Sequence, residues 1–250
     1  MKFYKKTQKP VINGVLGVNN PKKAMQKPKD SRELFKYDIE ELKKTKCKLI
    51  IGTDEAGRGP ATGPVFAAAV CFLKYDEELF QKLNKLNDSK QISEKTRLEL
   101  YPIIKECTVN SITMVDEKMI DRINILNATF EAMKNACMDV VRQVQTTCMV
   151  LVDGNFKVKD YEFPQKTVIK GDSKSASIAA ASVLAKVERD NFMIKLDEEF
   201  PQYGWKSNKG YLSRAHIDAI KKYGPTKYHR KTFLRNILDN QNIEQQKLTF

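Results

Sequence analysis

Apolar residues along this chain fall into short unbroken runs and into longer stripes spaced by three or four, and the two patterns predict different elements. Lys48-Leu-Ile-Ile-Gly-Thr53 is a short β-branched run reaching a glycine, the pattern of a buried strand. Pro64–Leu73 predicts a second strand, and Val109–Val115 alternates enough for a third. Between them, Glu77–Leu86 and Glu94–Glu106 read as helices. Leu126, Thr129/Phe130, Met133, Cys137, Val140 and Val144 then mark one long amphipathic helix with a single buried stripe. Met149–Val152 is wholly apolar, as a strand covered on both faces should be, and Thr167–Lys170 reads as a further short strand. Ser175–Phe200 predicts a helix with a face of small residues (Ile178, Ala179, Ser182, Val183, Lys186, Val187), which lets it approach a sheet closely. Ser213–Tyr223 is a shorter helix stopped by Gly224-Pro225. Strands first, then strands alternating with helices, predict an α/β fold with a mixed sheet flanked by helices and a C-terminal helical segment at about 200–250. There is no internal repeat.

Residues 1–32 break this pattern, with KPV, NGV, NPK and KPK interruptions and no periodicity, and read as a flexible Lys-rich extension ahead of a main domain over 33–250. Charge follows the same division. Of the formal +13, a net +9 lies in residues 1–48, from 14 Lys+Arg and 5 Asp+Glu. A basic balance favours a polyanionic partner, with solubility or targeting as the alternative for the extension. No run reaches the roughly 18–20 apolar residues of a membrane helix, so no spanning segment is expected. The five cysteines are scattered and form no C-x-x-C pair, which argues against a disulfide framework or zinc site and for a reducing compartment; a cytoplasmic monomer is expected. The start has no apolar stretch of secretory type, and Asn240–Phe250 carries no functional signal.

The candidate chemistry is acidic. Asp54-Glu55 terminates the first strand, Asp153 terminates the strand at 149–152, and Asp172 stands just before the small-residue helix. Strand ends on one edge of an α/β sheet are where ligand sites form. Neighbouring carboxylates stay ionised together only when cations neutralise them. With His216 and His229 the only histidines, an all-oxygen set suits Mg2+ or Mn2+. Two such ions can drive an in-line phosphoryl displacement. For Asp172, helix capping is the competing reading. Gly57-Arg58-Gly59 follows directly, a turn whose amides can approach a ligand without Cβ obstruction.

Thr53-Asp-Glu-Ala-Gly-Arg-Gly-Pro60 followed by Gly63-Pro-Val-Phe-Ala-Ala-Ala-Val70 resembles the N-terminal signature of type 2 ribonuclease H, the bacterial ribonuclease HII family. Asn87-Asp-Ser-Lys90, Val152-Asp-Gly154, Lys170-Gly-Asp172 with Ser177–Lys186, and the segment from Tyr203-Gly-Trp through His229-Arg230 extend the resemblance in order over about residues 33–233. The resemblance implies a ribonuclease H-like fold. It also implies an endonuclease that cleaves the RNA strand of RNA–DNA hybrids and incises on the 5′ side of single ribonucleotides in duplex DNA, leaving a 3′-hydroxyl and a 5′-phosphate. Such an enzyme serves replication and ribonucleotide excision.

By the same resemblance Asp54, Glu55, Asp153 and Asp172 hold two divalent ions, and Gly57, Arg58 and Gly59 read the 2′-hydroxyl and the RNA–DNA junction. Tyr211 stacks on the following sugar, with a packed surface tyrosine as the alternative. Lys90 and Lys209 contact phosphates, with ordinary solvated lysines as the alternative. His229 and Arg230 either reach phosphate or cap a helix. Two departures stand out: Leu212 replaces a glycine beside Tyr211, and Ala61-Thr62 separates the Gly-Pro pairs. A ribonuclease HIII-like enzyme and a silent hybrid-binding protein are the competing readings. The G-R-G turn with Asp172 argues against the former, and four intact acids against the latter.

Overall fold

The computed structural model describes residues 31–89 and 91–237; the basic segment of 1–30, Lys90 and the extreme C-terminus lie outside the described residues. The chain runs α1 (Ser31–Lys43), β1 (Leu49–Ala56), β2 (Val65–Cys71), α2 (Glu77–Lys82), α3 (Glu94–Cys107), β3 (Val109–Val115), α4 (Glu117–Ile123) and α5 (Ile125–Val144). Then come β4 (Cys148–Asp153), β5 (Gln165–Val168), α6 (Ala176–Glu199), α7 (Trp205–Asn208) and α8 (Arg214–Tyr223). Short 3-10 turns at Gly171–Ser173 and Pro201–Tyr203 flank α6, and 231–237 is again helical. No helix among the described residues is long and apolar enough to cross a membrane.

The five strands form one mixed sheet in the order β3-β2-β1-β4-β5, with β1–β2 and β2–β3 antiparallel and β1–β4 and β4–β5 parallel. One face packs Ile51, Val65, Ala67, Ala69, Val150 and Val152 against α5. The other packs Ala68 and Val70 against Ala179, Ala180 and Val183 of α6, with Leu34 and Phe35 of α1 beside them. The small-residue face of α6 has its counterpart on β1. A Cβ on Gly52 would stand 2.2 Å from the Ser177 carbonyl carbon, so only glycine admits α6 at this depth. The far half of α6 supports the C-terminal helices through Met193, Leu196, Trp205 and Ile220.

Besides α2, which ends at Lys82 rather than Leu86, four features differ from the sequence reading. Helix α1 occupies a stretch for which no element was expected, and its first two residues, Ser31 and Arg32, lie in the segment assigned to the extension. Its buried face includes Asp38 and Glu41 beside Leu34 and Phe35, so apolar spacing alone does not show it. Helix α4 was likewise not expected. The third difference concerns β1, which does not stop before its acids: Asp54 and Glu55 remain laddered to Ala68 and Ala67 of β2. Finally β5 lies at Gln165–Val168 rather than two residues later, its register set by β4.

Candidate active site at the carboxyl edge of the sheet

The register of the two central parallel strands brings the acids together. Thr53 pairs with Val152, and each strand continues with an aspartate, so Asp54 and Asp153 emerge side by side where β1 outruns β4. The turn after β5 supplies the next acid. Lys170 takes a left-handed conformation (φ 56°), and the Gly171 N–H donates to Asp153 Oδ1 at 2.6 Å. Asp172 follows directly and is buried. Glu55 N–H donates to Asp54 Oδ1 at 2.7 Å.

Electrostatics single out Asp54. Burial and the nearby charges of Glu55 and Asp153 push its carboxyl well above the usual range, against the lowering effect of a hydrogen bond from Ser182. Burial also raises Glu55, opposed first by Arg58, whose Nη1 lies 3.3 Å from Glu55 Oε1. Ser182 in turn shares a 2.7 Å hydrogen bond with Ser89, which joins the Asn87–Ser89 loop to the acid edge.

A cavity of about 320 Å³ opens here, lined by Asp54, Glu55, Gly57, Ser182, Arg189 and Tyr211 among others. Glu55, Arg58, Asp153 and Phe156 line a second, smaller recess. Among the described residues no group of three or more His, Cys, Asp or Glu side chains is gathered tightly enough to ligate one ion. The chemistry of the set nevertheless fits a hard divalent cation. The donors are carboxylate oxygens, and the strongest charges acting on buried Asp54 are those of two other carboxylates.

The G-R-G turn forms the cavity rim. Gly57 has φ +100°, and a Cβ there would lie 2.1 Å from Arg189 Nε, so the position demands glycine twice over. Gly59 lies against the Tyr211 ring, where a Cβ would meet Tyr211 Cε1 at 3.2 Å. The structure thus brings together two residues 152 positions apart in the chain. Tyr211 is exposed and follows a left-handed pair, Lys209 (φ 51°) and Gly210 (φ 82°). Leu212, in the position of a missing glycine, has no positive φ and points its side chain outward, so the turn does not require glycine there.

Lys209 is half-buried, and its carbonyl accepts from Arg189 Nη2 at 3.0 Å. His229 and Arg230 are both buried, and neither of the roles entertained for them, reaching phosphate or capping a helix, describes what they do. Arg230 turns inward onto backbone carbonyls. Arg189, which sequence reasoning missed, does the same, and its only sequence signal was a charged residue in the buried half of a long helix.

The Ribonuclease HII family model matches residues 51–237. Ribonuclease HII of Caldicellulosiruptor saccharolyticus is 48% identical over 206 residues, covering 81% of this chain and 95% of that protein. Ribonuclease HII of Fusobacterium nucleatum is 45% identical, covering 83% and 93%. Among solved structures, ribonuclease H2 of Pyrococcus horikoshii matches with a TM-score of 0.59 at 25% identity, over 77% of this chain and 98% of that one. Bst-RNase HIII in complex with Mn2+ matches with a TM-score of 0.55 at 20% identity, over 70% and 63%.

Proposed function

This chain belongs to the ribonuclease HII family and is an endonuclease acting on RNA–DNA hybrids, and from that premise we propose that it also incises duplex DNA on the 5′ side of a single embedded ribonucleotide. The observation that carries the finer reading is the contact of Tyr211 with Gly59, on the rim of the cavity that holds Asp54 and Glu55. Backbone amides in a glycine turn can read a 2′-hydroxyl without reading any base, since the 2′-hydroxyl is what separates RNA from DNA. An exposed aromatic ring beside that turn is a platform for the next sugar. The two devices adjoin, so they report on one ribose-to-deoxyribose step rather than on a long RNA tract.

Asp54, Glu55, Asp153 and Asp172 would hold Mg2+ or Mn2+, which when bound supplies Lewis acidity for in-line phosphodiester displacement, leaving a 3′-hydroxyl and a 5′-phosphate. The Mn2+ of the ribonuclease HIII structure supports a divalent ion of this class. Burial of Asp54 puts its carboxylate in a low-dielectric setting where a bound cation's charge counts for more than in water. The Gly171 N–H fixes one oxygen of Asp153, and Arg58 keeps Glu55 from swinging freely.

The test is incision of three labelled duplexes with Mg2+ or Mn2+: one embedded ribonucleotide, all DNA, and a long RNA–DNA hybrid. Cleavage 5′ of the ribonucleotide and none in all-DNA is the expected result. No incision of the first duplex with either ion overturns it, and cleavage of the long hybrid alone identifies a ribonuclease HIII-like preference instead.

A further inference from the structure

Arg230 is fully buried, and its guanidinium is spread over one loop. Nε and Nη2 donate to the Gly63 carbonyl at 2.9 and 2.6 Å, Nη2 to Gly57 at 2.7 Å, and Nη1 to Pro60 at 2.7 Å and Arg58 at 3.1 Å. These are four carbonyls of the seven-residue loop that carries the G-R-G turn. Backbone bonds add to the grip: Arg230 N–H to Ala61 O at 2.8 Å, and Gly63 N–H to Tyr228 O at 3.0 Å. A planar fork with five N–H donors suits this task, whereas an ammonium has three donors on one atom.

The preceding residue reaches the other reading element. Thr226 N–H donates to His229 Nδ1 at 2.9 Å, so that nitrogen bears the lone pair and Nε2 the proton. His229 Nε2–H then points to His216 Nε2 at 3.2 Å, where Trp205 Nε1–H also donates at 3.0 Å. His216 must therefore carry its proton on Nδ1, which donates to the Tyr211 carbonyl at 2.8 Å. The bonds run one way, from the Thr226 amide to the turn that presents Tyr211. Two further links join the loops directly: Ala61 N–H to Gly210 O at 2.9 Å, and Arg189 Nη2 to both Thr62 O and Lys209 O.

We propose that His229 and Arg230 are positioning residues that set the register between the Gly57–Gly59 turn and Tyr211, and thereby the selectivity for a ribonucleotide followed by a deoxyribonucleotide. The proposal rests on the reading of those two elements given above. Neither side chain touches substrate; each acts through the carbonyls it holds. Loops have no ladder to fix their spacing, and a shift of about 1 Å between two groups reading adjacent sugars is enough to lose a factor of about a hundred.

The test compares wild type with Arg230→Lys and His229→Gln on two duplexes, one with a single ribonucleotide followed by DNA and one with that ribonucleotide followed by a second. Each variant should lower the ratio of kcat/KM between the first and second duplex at least tenfold. Amide hydrogen exchange should rise in 57–63 for Arg230→Lys and in 208–213 for His229→Gln. Arg230→Ala should regain part of the ratio in low-millimolar guanidinium and none in equal urea. A brace with no role in selectivity predicts the opposite: kcat falls equally on both duplexes, KM and the ratio stay put, and that result overturns the proposal. Should Arg230→Lys fail to fold, His229→Gln reads the same ratio. Wild type that shows no preference between the duplexes overturns the underlying reading instead, while the exchange data still report whether the two loops are held.

Discussion

The acid edge and the loop clamp lie side by side and are built on opposite terms. At the acid edge, sheet register sets carboxylates next to one another, and burial and mutual repulsion raise Asp54 well above the ordinary carboxylate range. In the clamp, Arg189, His216, His229 and Arg230 are just as buried, yet most of their donors meet a carbonyl or a ring nitrogen. Three of the acids proposed to hold metal, Asp54, Glu55 and Asp153, need little help with position, because strands carry them, and Asp54 is left short of positive charge. The Gly57–Gly59 turn and Tyr211, the proposed reading groups, sit on turns with no register of their own, so buried hydrogen bonds must provide it. Activity at the edge is therefore expected to be held at the expense of stability, and selectivity in the clamp together with it.

Asp54→Asn should break the edge most sharply. Loss of a cation-binding carboxylate is expected to lower incision by roughly a thousandfold or more. In chelator, with no divalent ion present, the same change relieves the burial and repulsion that raise Asp54, so the melting temperature should rise by about 2–4 °C, taking about 1 kcal/mol of relief in a domain of this size. A scan showing a lower melting temperature would end the claim that the edge is strained. Gly57→Ala probes the seam between the regions. Its Cβ would collide with Arg189 at φ +100°, whereas at Gly154 (φ +94°) nothing lies within 4 Å. Denaturant titration should show a loss of about 2–4 kcal/mol for Gly57→Ala and about 1–2 kcal/mol for Gly154→Ala, the difference being the collision with the clamp.

Asp38 of α1 accepts from Ser175 Oγ at 2.5 Å and Ser177 N–H at 2.8 Å, at the start of the helix that follows Asp172. Burial raises its carboxyl from 3.8 to about 7, against those two hydrogen bonds. The folded state thus keeps a proton that the unfolded state has lost, so stability should fall as pH rises from about 4 to about 7, by up to about 1.4 kcal/mol per unit. Asp38→Asn should flatten that slope in melts across this range; an unchanged slope would show that Asp38 is ionised in place. The smallest effect belongs to residues 1–30, which hold eight lysines and one aspartate. Their deletion should shallow the dependence of duplex binding on log salt by several units at most, with the cleavage position unmoved. An equal slope would leave them as a solubilising or targeting extension.

Strand positions and the acids beside them were legible because they depend on local pattern; the order β3-β2-β1-β4-β5 was not, since it depends on which strands pair. Apolar runs mark strands by composition alone, and an aspartate at the end of such a run is placed near a sheet edge, but β2 and β4 decided that Asp54 stays laddered and stands beside Asp153. Helix α1 was hidden because two of the positions it buries are Asp38 and Glu41, whose burial depends on Ser175, Ser177 and Lys166 more than a hundred residues away. His229 and Arg230 were visible as residues but not in their role. A guanidinium facing phosphate and one facing carbonyls look alike in sequence, and Arg230's carbonyls lie 167 to 173 residues upstream. The sequence by itself determined the strands of the mixed sheet and the acids proposed as metal ligands, the first through hydrophobic burial and strand geometry and the second through the ordered motifs that resemble the ribonuclease HII family. Only the tertiary structure decided how the two reading turns face each other, because a loop's conformation is set by the distant donors that meet its backbone.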